Sequence, residues 1–409
     1  MTKHQIVIVG GGSAGIATAS SLRSRDASLD IAIIEPSDQH FYQPGWTMVG
    51  AGIFTKGQTV RSTDSVWPSG IKRIKGAVAT FSPEKNTVTL NDGSEVHYEF
   101  LVVAAGLKLD WDAIEGLQDA LGKNGVTSNY SFDLAPYTSE LVQKMQGKTA
   151  IFTQPPMPIK CAGAPQKAMY LSCDAWLKAG KLNGINVSFC NAGPVLFGCA
   201  PYVPPLMEYI KKYDIALDFG HNLVKIDGPN QKAWFKVTKD GEEPELVERK
   251  FDMIHVCPPQ CAPDFIKDSP LSGAAGWVDV DQATLQHTTY DNVFGLGDVT
   301  STPNAKTVAA ARKQAPIVAK NLISKMKGQS LAPLYDGYGS CPLTVESGKI
   351  ILAEFGYGGK IMPSFPWDST KPRRAAWFLK KSILPWVYWN FMLKGREWLT
   401  KTSAESQNI

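Results

Sequence analysis

Hydrophobic residues in this chain fall mostly into short unbroken runs. Gln5-Ile6-Val7-Ile8-Val9 is apolar and β-branched throughout, which predicts a parallel strand covered on both faces. Residues 31–34 and 100–105 share that texture, as do 148–153, 186–190 and 289–297. Helical spacing follows several of them, over 13–25, 168–177 and 305–320. Strands alternating with helices predict an α/β chain with parallel sheets. Beyond Lys360 the texture changes. Trp367, Trp377, Trp386, Trp389 and Trp398 are interleaved with Lys371, Arg373, Arg374, Lys380, Lys381, Lys394 and Arg396. Residues 375–383 and 386–399 read as two short helices broken at Pro385. The apolar piece 383–393 falls short of the ~20 residues a span requires. Rings with basic neighbours suit a headgroup boundary, so this region is expected to lie in one leaflet; a core-packing or dimerising tail is the alternative.

The first strand runs straight into Gly10-Gly11-Gly12-Ser13-Ala14-Gly15, and a helix follows. Gly10 permits the tight turn, Gly12 lets backbone approach a pyrophosphate, and Gly15 allows close helix–strand packing. The start of that helix offers free N–H groups and partial positive charge to phosphates. Glu35 ends the second strand about twenty residues after Gly15, where a carboxylate can hold a ribose diol. A glycine loop between strand and helix, with an acid at that distance, predicts a dinucleotide site.

Two later segments narrow the choice of dinucleotide. Residues 100–106 form an apolar run closing on Gly106, and residues 289–298 form another closing on Gly297-Asp298. Both resemble signatures of the pyridine nucleotide–disulfide oxidoreductase superfamily, which implies FAD, with Asp298 at its ribityl–phosphate region. Asp298 is also a natural N-cap for a helix over 305–320. The resemblance implies two Rossmann-like dinucleotide-binding domains, the first discontinuous, plus a C-terminal membrane-associating region. The expected division is 1–110 with 285–330 for FAD, 111–284 for the second domain, and 331–409 for the third, with interfacial helices from about 371.

The second domain lacks the expected NAD(P)H loop. Its strand 148–153 leads into Gln154-Pro155-Pro156-Met157-Pro158, and proline offers no N–H to a pyrophosphate. Strand 186–190 ends in Asn191-Ala192-Gly193, without an acid or arginine for a ribose. The reductase Cys-x4-Cys pair is missing as well; residues 39–44 stand in its place. Electrons are therefore expected to enter by another route.

Bulk properties exclude little. A chain of 409 residues exceeds one core, and 44% hydrophobic with 20% charged residues excludes wholesale disorder. A net charge of +4 makes no case for nucleic acid. Met1 is followed almost at once by the first strand, so no leader peptide is expected in this sequence. Seven cysteines are an odd number and are scattered, as expected of thiols in a reducing compartment. Cys161 stands among Lys160 and Lys167 just ahead of a helix, a setting that lowers a thiol pKa. Cys341 stands in a Gly-rich turn ahead of a strand, and sequence does not bring the two together. Cys257 and Cys261 match no redox or zinc spacing, and His255 alone does not complete a metal set. Cys173, Cys190 and Cys199 are expected to be inert too, and no metal site is expected.

The segments around Cys161 (residues 159–167) and Cys341 (335–343), with 43–47 and 350–355, resemble sulfide:quinone oxidoreductases, most of all the branch of the mitochondrial enzyme. The resemblance covers essentially the whole chain. It implies that Cys161 and Cys341 are a redox pair on one face of the isoalloxazine. Sulfide would open the oxidised pair and leave a persulfide on Cys341. Cys161 would add to flavin C4a, and a membrane quinone would reoxidise the flavin. Glutathione, sulfite or a further sulfide would take the sulfane sulfur. Expected cofactor contacts are Gly10, Gly12, Ser13, Ala14, Gly15, Glu35, Gln43, Val78, Gly106, Asp298 and Lys306. Lys306 would stand near flavin N1–C2=O, with Lys160 and Lys167 as further cations. The implied location is monotopic, on the cytoplasmic face of a bacterial inner membrane or the mitochondrial matrix side. Homo-oligomer formation stays open. A type II NADH:quinone oxidoreductase shares FAD, quinone and membrane tail, but the missing second glycine loop argues against it. A flavocytochrome sulfide dehydrogenase would use a haem partner, and a redox-inactive flavoprotein scaffold is the non-enzymatic alternative.

Overall fold

A computed structural model describes residues 2–146, 148–239, 241–332 and 334–400. Its first sheet has seven strands, ordered Lys72–Ile74, Ile31–Ile34, Thr2–Val9, Glu95–Val103, Thr87–Leu90 and Val78–Ser82, with Val293–Gly295 also pairing with Glu95–Val103. Its strands thus come from two distant parts of the chain. The four-residue run at Ile31–Ile34 is wholly buried, as its unbroken apolar character requires. The neighbouring Thr2–Val9 strand is buried over its second half, from Ile6. Helix Ser13–Arg25 packs on this sheet and against the long helix Val308–Met326.

The second sheet is parallel throughout, ordered Val126–Thr127, Met253–His255, Lys148–Gln154, Ile185–Asn191 and Ala216–Phe219. A hairpin, Gly339–Glu346 with Lys349–Phe355, packs on helix Ala164–Lys178, which in turn packs on strand Lys148–Gln154. Side chains alternate across a strand, and here the alternation separates two environments. Cys341, Leu343, Ile351 and Ala353 join the core of the second sheet, whereas Ile350 and Leu352 pack against the C-terminal helices.

Several sequence expectations change. Cys341 lies inside the Gly339–Glu346 strand, not in a turn ahead of it. The long helix begins at Val308, and its N-cap is Thr307, whose side chain accepts from the Ala310 N–H. Asp298 sits in the separate turn Gly297–Val299 and caps nothing there. At the C-terminus Pro385 breaks no helix. Arg374–Phe378, Leu379–Ile383 and Leu384–Asn390 form one helical run, and the middle piece is a π-turn. Pro385 stands at the start of the next α segment, where its missing N–H costs little. The run ends at Asn390 rather than 399. Among the described residues no helix is long and apolar enough to cross a membrane.

Candidate active site

The glycine loop has the shape its sequence requires. Gly10 has φ of +102°, and a Cβ there would meet Ala104 O at 2.6 Å. A Cβ at Gly15 would overlap Gly10 O, whereas one at Gly12 would meet no atom within 4 Å. Gly12 therefore faces open space at the start of a helix whose N-cap has no side-chain partner. The Glu35 carboxylate accepts from Gly11 N (2.7 Å) and Ser37 N (2.7 Å), which fixes it beside the loop. Ala14 lies under Gly297, and Gly106 takes φ of +72° just past the Glu95–Val103 strand.

A cavity lies beside this frame, with Tyr388, the hydrogen-bond partner of Ser13, on its wall. Gln43, Lys160, Cys161, Lys167, Asp298 and Lys306 lie on its wall. Lys160 Nζ donates to Gln43 Oε1 at 2.7 Å. Lys306 Nζ donates to Asp298 O and Thr300 O, both at 2.8 Å, and sits 4.1 Å from the centre of the Trp277 ring. Burial brings the Lys306 pKa down to about 8, although Asp298 opposes the shift. Burial likewise raises the Asp298 carboxyl, against the pull of Lys306 and Lys160.

Cys161 and Cys341 meet through a side-chain hydrogen bond. Cys161 adopts φ of +49°, a left-handed conformation that costs a non-glycine residue about 1–2 kcal/mol. Three backbone contacts hold it there: its N–H donates to Lys306 O (2.8 Å), and its carbonyl accepts from Ala164 N (2.6 Å) and the Tyr130 hydroxyl (3.5 Å). Lys167 Nζ, one turn into the following helix and only 3% exposed, lies 3.1 Å from Cys161 Sγ. The hydrogen bond from Cys341 and the Lys167 ammonium hold the Cys161 thiol well below its usual range, against burial. Cys341 moves the opposite way, raised by that same hydrogen bond and by burial. One sulfur is thus prepared to be a thiolate and its neighbour to stay a thiol.

Residues 4–140 match the pyridine nucleotide-disulphide oxidoreductase family. The mitochondrial sulfide:quinone oxidoreductase of Dictyostelium discoideum is 44% identical over 402 residues, 98% of this chain and 88% of that protein. The chain belongs to the sulfide:quinone oxidoreductase family. The mitochondrial sulfide:quinone oxidoreductase of Mus musculus is 40% identical over 96% of this chain and 87% of its own length. The crystal structure of the sulfide:quinone oxidoreductase from Aquifex aeolicus has the same fold, with a TM-score of 0.77 and 20% identity over 100% of this chain and 94% of that one.

Members of this family are FAD enzymes, and the residues present fit that cofactor. Beyond the open cradle at Gly12, Trp46 Nε1, Thr47 Oγ1 and both polar atoms of the Asn129 amide are buried with no hydrogen-bond partner among the described residues. All three side chains border the cavity. Buried polar groups are almost always paired, so these call for a polar occupant. Of the expected contacts, Gln43, Asp298 and Lys306 border the cavity. Gly10, Gly12, Ser13, Ala14, Gly15, Glu35 and Gly106 lie off its wall, on the glycine-loop side, and Val78 opens the Val78–Ser82 strand and packs into the core of the first sheet. Ser13 turns its hydroxyl toward Tyr388, 2.7 Å away.

Sequence reasoning missed several residues. Lys380, expected among interfacial cations, is 3% exposed and donates to Pro44 O at 2.8 Å. Burial and the nearby Lys167 charge bring its pKa down to about 7, with Cys161 and Cys341 acting in the opposite direction. Its helical register was the available signal, because Ala376, Lys380, Leu384 and Val387 share one face. Trp389 is likewise buried. His40 is buried, and burial lowers its pKa to about 4. The neutral ring donates from Nδ1 to Gly11 O (3.2 Å) and accepts at Nε2 from the Tyr388 hydroxyl (2.6 Å). The C-terminal helix is thereby tied to the glycine loop. Cys257 is fully buried, and burial pushes its thiol up to about 12. Among the described residues no group of three or more His, Cys, Asp or Glu is placed to hold a metal ion.

Proposed function

We propose that Cys161 and Cys341 oxidise hydrogen sulfide and that the electrons pass through FAD to a membrane quinone. The observation that carries this reading is the opposed tuning of the two thiols, with Lys167 Nζ 3.1 Å from Cys161 Sγ. In a disulfide between them, the better leaving group is the thiol of lower pKa. Hydrosulfide therefore attacks Cys341 Sγ, the S–S bond breaks, and Cys161 departs as a thiolate beside the Lys167 ammonium. Cys341 keeps the new sulfur as a persulfide. Cys341 is fully buried while Cys161 borders the cavity, so only a very small nucleophile reaches the inner sulfur.

A small thiolate, sulfite or second sulfide then removes the outer sulfur and leaves Cys341 reduced. Re-forming the bond between the two cysteines releases two electrons. FAD, when bound, supplies the two-electron acceptor that links this thiol chemistry to the quinone. The residues assigned to hold it are Gly10, Gly12, Ser13, Ala14, Gly15, Glu35, Gln43, Gly106, Asp298 and Lys306. The division into 1–110 with 285–330, 111–284 and 331–409 is part of the same proposal, supported by the strand make-up of the two sheets. Residues 401–409 of the last part lie outside the described residues.

The membrane reading rests on Phe378, Trp386, Trp398 and Leu399, which are exposed on the C-terminal segment. Large apolar rings in water are costly unless a surface covers them. Attachment to one face of a quinone-bearing membrane, bacterial inner or mitochondrial, would bring the quinone to the cavity. Anaerobic sulfide added to the holoenzyme tests the sulfur chemistry. Wild type bleaches its flavin, and Cys161→Ser and Cys341→Ser, with the same FAD content, do not. Bleaching of either serine variant at the wild-type rate would overturn the proposal.

A further inference from the structure

The hairpin that carries Cys341 also carries a buried carboxyl on its opposite face. Ser340 pairs with Glu354 and Pro342 with Leu352, and all four border the cavity on the side of the C-terminal helices. On that side Phe365, Leu379, Leu384 and Val387 give the wall an apolar stretch, which Lys380 and Tyr388 of the same helices flank. Glu354 is 3% exposed. Its Oε1 accepts from the Tyr338 hydroxyl at 2.6 Å and its Oε2 from Ser364 N at 3.0 Å. The Arg312 guanidinium hydrogen-bonds Tyr338 in turn, and Lys313 Nζ lies 4.1 Å from the centre of the Tyr338 ring. Tyr202 completes the ionisable groups facing Glu354, through a hydroxyl that donates to its carbonyl (3.2 Å). The sulfur chemistry uses none of these groups.

We propose that Glu354 and Tyr338 deliver a proton to the quinone. The inference rests on the quinone occupying the apolar arm beneath the C-terminal helices. Two electrons and two protons convert a quinone to a quinol. FAD, when bound and reduced, would supply both electrons and one of the protons, so the other proton enters through the protein. Tyr338 passes its hydroxyl proton to the quinone oxygen, breaking one O–H bond and forming another. It is reprotonated through Glu354, whose carboxylate accepts that hydroxyl in the resting structure and relays a proton taken from solvent. Arg312 orients the tyrosine as a positioning residue. An apolar compartment disfavours leaving charge on a quinone oxygen, so a donor at its wall is what the reduction needs. The bland role for the same cluster is a strut that pins the hairpin.

The two roles separate by choice of electron acceptor. Holoenzyme reduced anaerobically by sulfide with sulfite as the sulfur acceptor, then freed of both, is reoxidised either by a short-chain ubiquinone, which takes up protons, or by ferricyanide, which does not. In Glu354→Gln and Tyr338→Phe, flavin reduction by sulfide and reoxidation by ferricyanide stay within twofold of wild type, while reoxidation by quinone slows at least tenfold. Glu354→Asp restores part of the rate. In the holoenzyme, infrared difference spectra on quinone reduction show a carboxyl band that Glu354→Gln lacks. Parallel loss with both acceptors, or an unchanged quinone rate, overturns the proposal. If Glu354→Gln does not retain FAD, Tyr338→Phe carries the same comparison. Failure of wild type to bleach with sulfide, or to reoxidise with quinone, would sink the underlying reading instead.

Discussion

Replacing Lys167 by methionine removes one charge and leaves a side chain of similar length in the helix. The ammonium lies 3.1 Å from Cys161 Sγ and is almost fully buried. At that distance an effective dielectric constant of ~20 gives a Coulomb attraction of about 5 kcal/mol for a full thiolate. Desolvation of both groups offsets part of this, and a charge-assisted hydrogen bond contributes about 1.5–3 kcal/mol net. Since about 1.4 kcal/mol is a factor of ten, the thiolate population at fixed pH should fall roughly 10–100-fold. The assay is alkylation of the reduced protein by iodoacetamide over a pH series, followed at the Cys161 peptide by mass spectrometry. Wild type reacts at pH values where an ordinary thiol is silent, and Lys167→Met requires more alkaline solution. Sulfide-driven flavin bleaching slows by a similar factor with FAD content unchanged, and Lys167→Arg recovers part of it. Coincident alkylation profiles for wild type and Lys167→Met would refute the assignment of Lys167 as the stabilising charge.

Other consequences are more local. Gly12→Ala adds a Cβ that meets no protein atom, so the apoprotein should keep its urea midpoint within about 0.5 kcal/mol while the purified protein loses most of its FAD; full FAD content would contradict the cradle. Tyr388→Phe strips His40 Nε2 of its donor and should destabilise the protein by about 1–3 kcal/mol, measured by urea unfolding; an unchanged midpoint would dismiss the tether. Lys380 is ionised in the unfolded chain up to its ordinary 10.5 but only up to about 7 when folded. The unfolded state therefore binds more protons between those values, and stability rises with pH across that window. Lys380→Met should flatten that rise, and equal slopes in denaturation at pH 7 and pH 9.5 would count against it.

What could be read in the sequence was set by how local each signal is. The glycine loop and Glu35 belong to one strand–helix–strand unit, so spacing alone located them. Cys161 lies in the turn ahead of helix Ala164–Lys178 and Cys341 in the Gly339–Glu346 strand, far apart in the chain, and only the likeness of their flanking residues linked them before the fold did. Asp298 looked like a helix cap because the turn Gly297–Val299 and the Thr307 cap left no distinct signature. Pro385 looked like a break because a π-turn that accommodates proline cannot be seen in composition. Lys380 and Trp389 were grouped with the interfacial residues by their neighbours, whereas the helix turns both inward. The His40–Tyr388–Ser13 contacts join the two ends of the chain, beyond the reach of any local pattern.

The central claim concerns which sulfur receives the incoming one. Holoenzyme treated anaerobically with one equivalent of sulfide, without an acceptor, is trapped by alkylation, digested and mapped by mass spectrometry. The account predicts one extra sulfur atom on the peptide carrying Cys341 and an ordinary alkylated thiol at Cys161. An extra sulfur found on Cys161, or on neither peptide while the flavin has bleached, would contradict it.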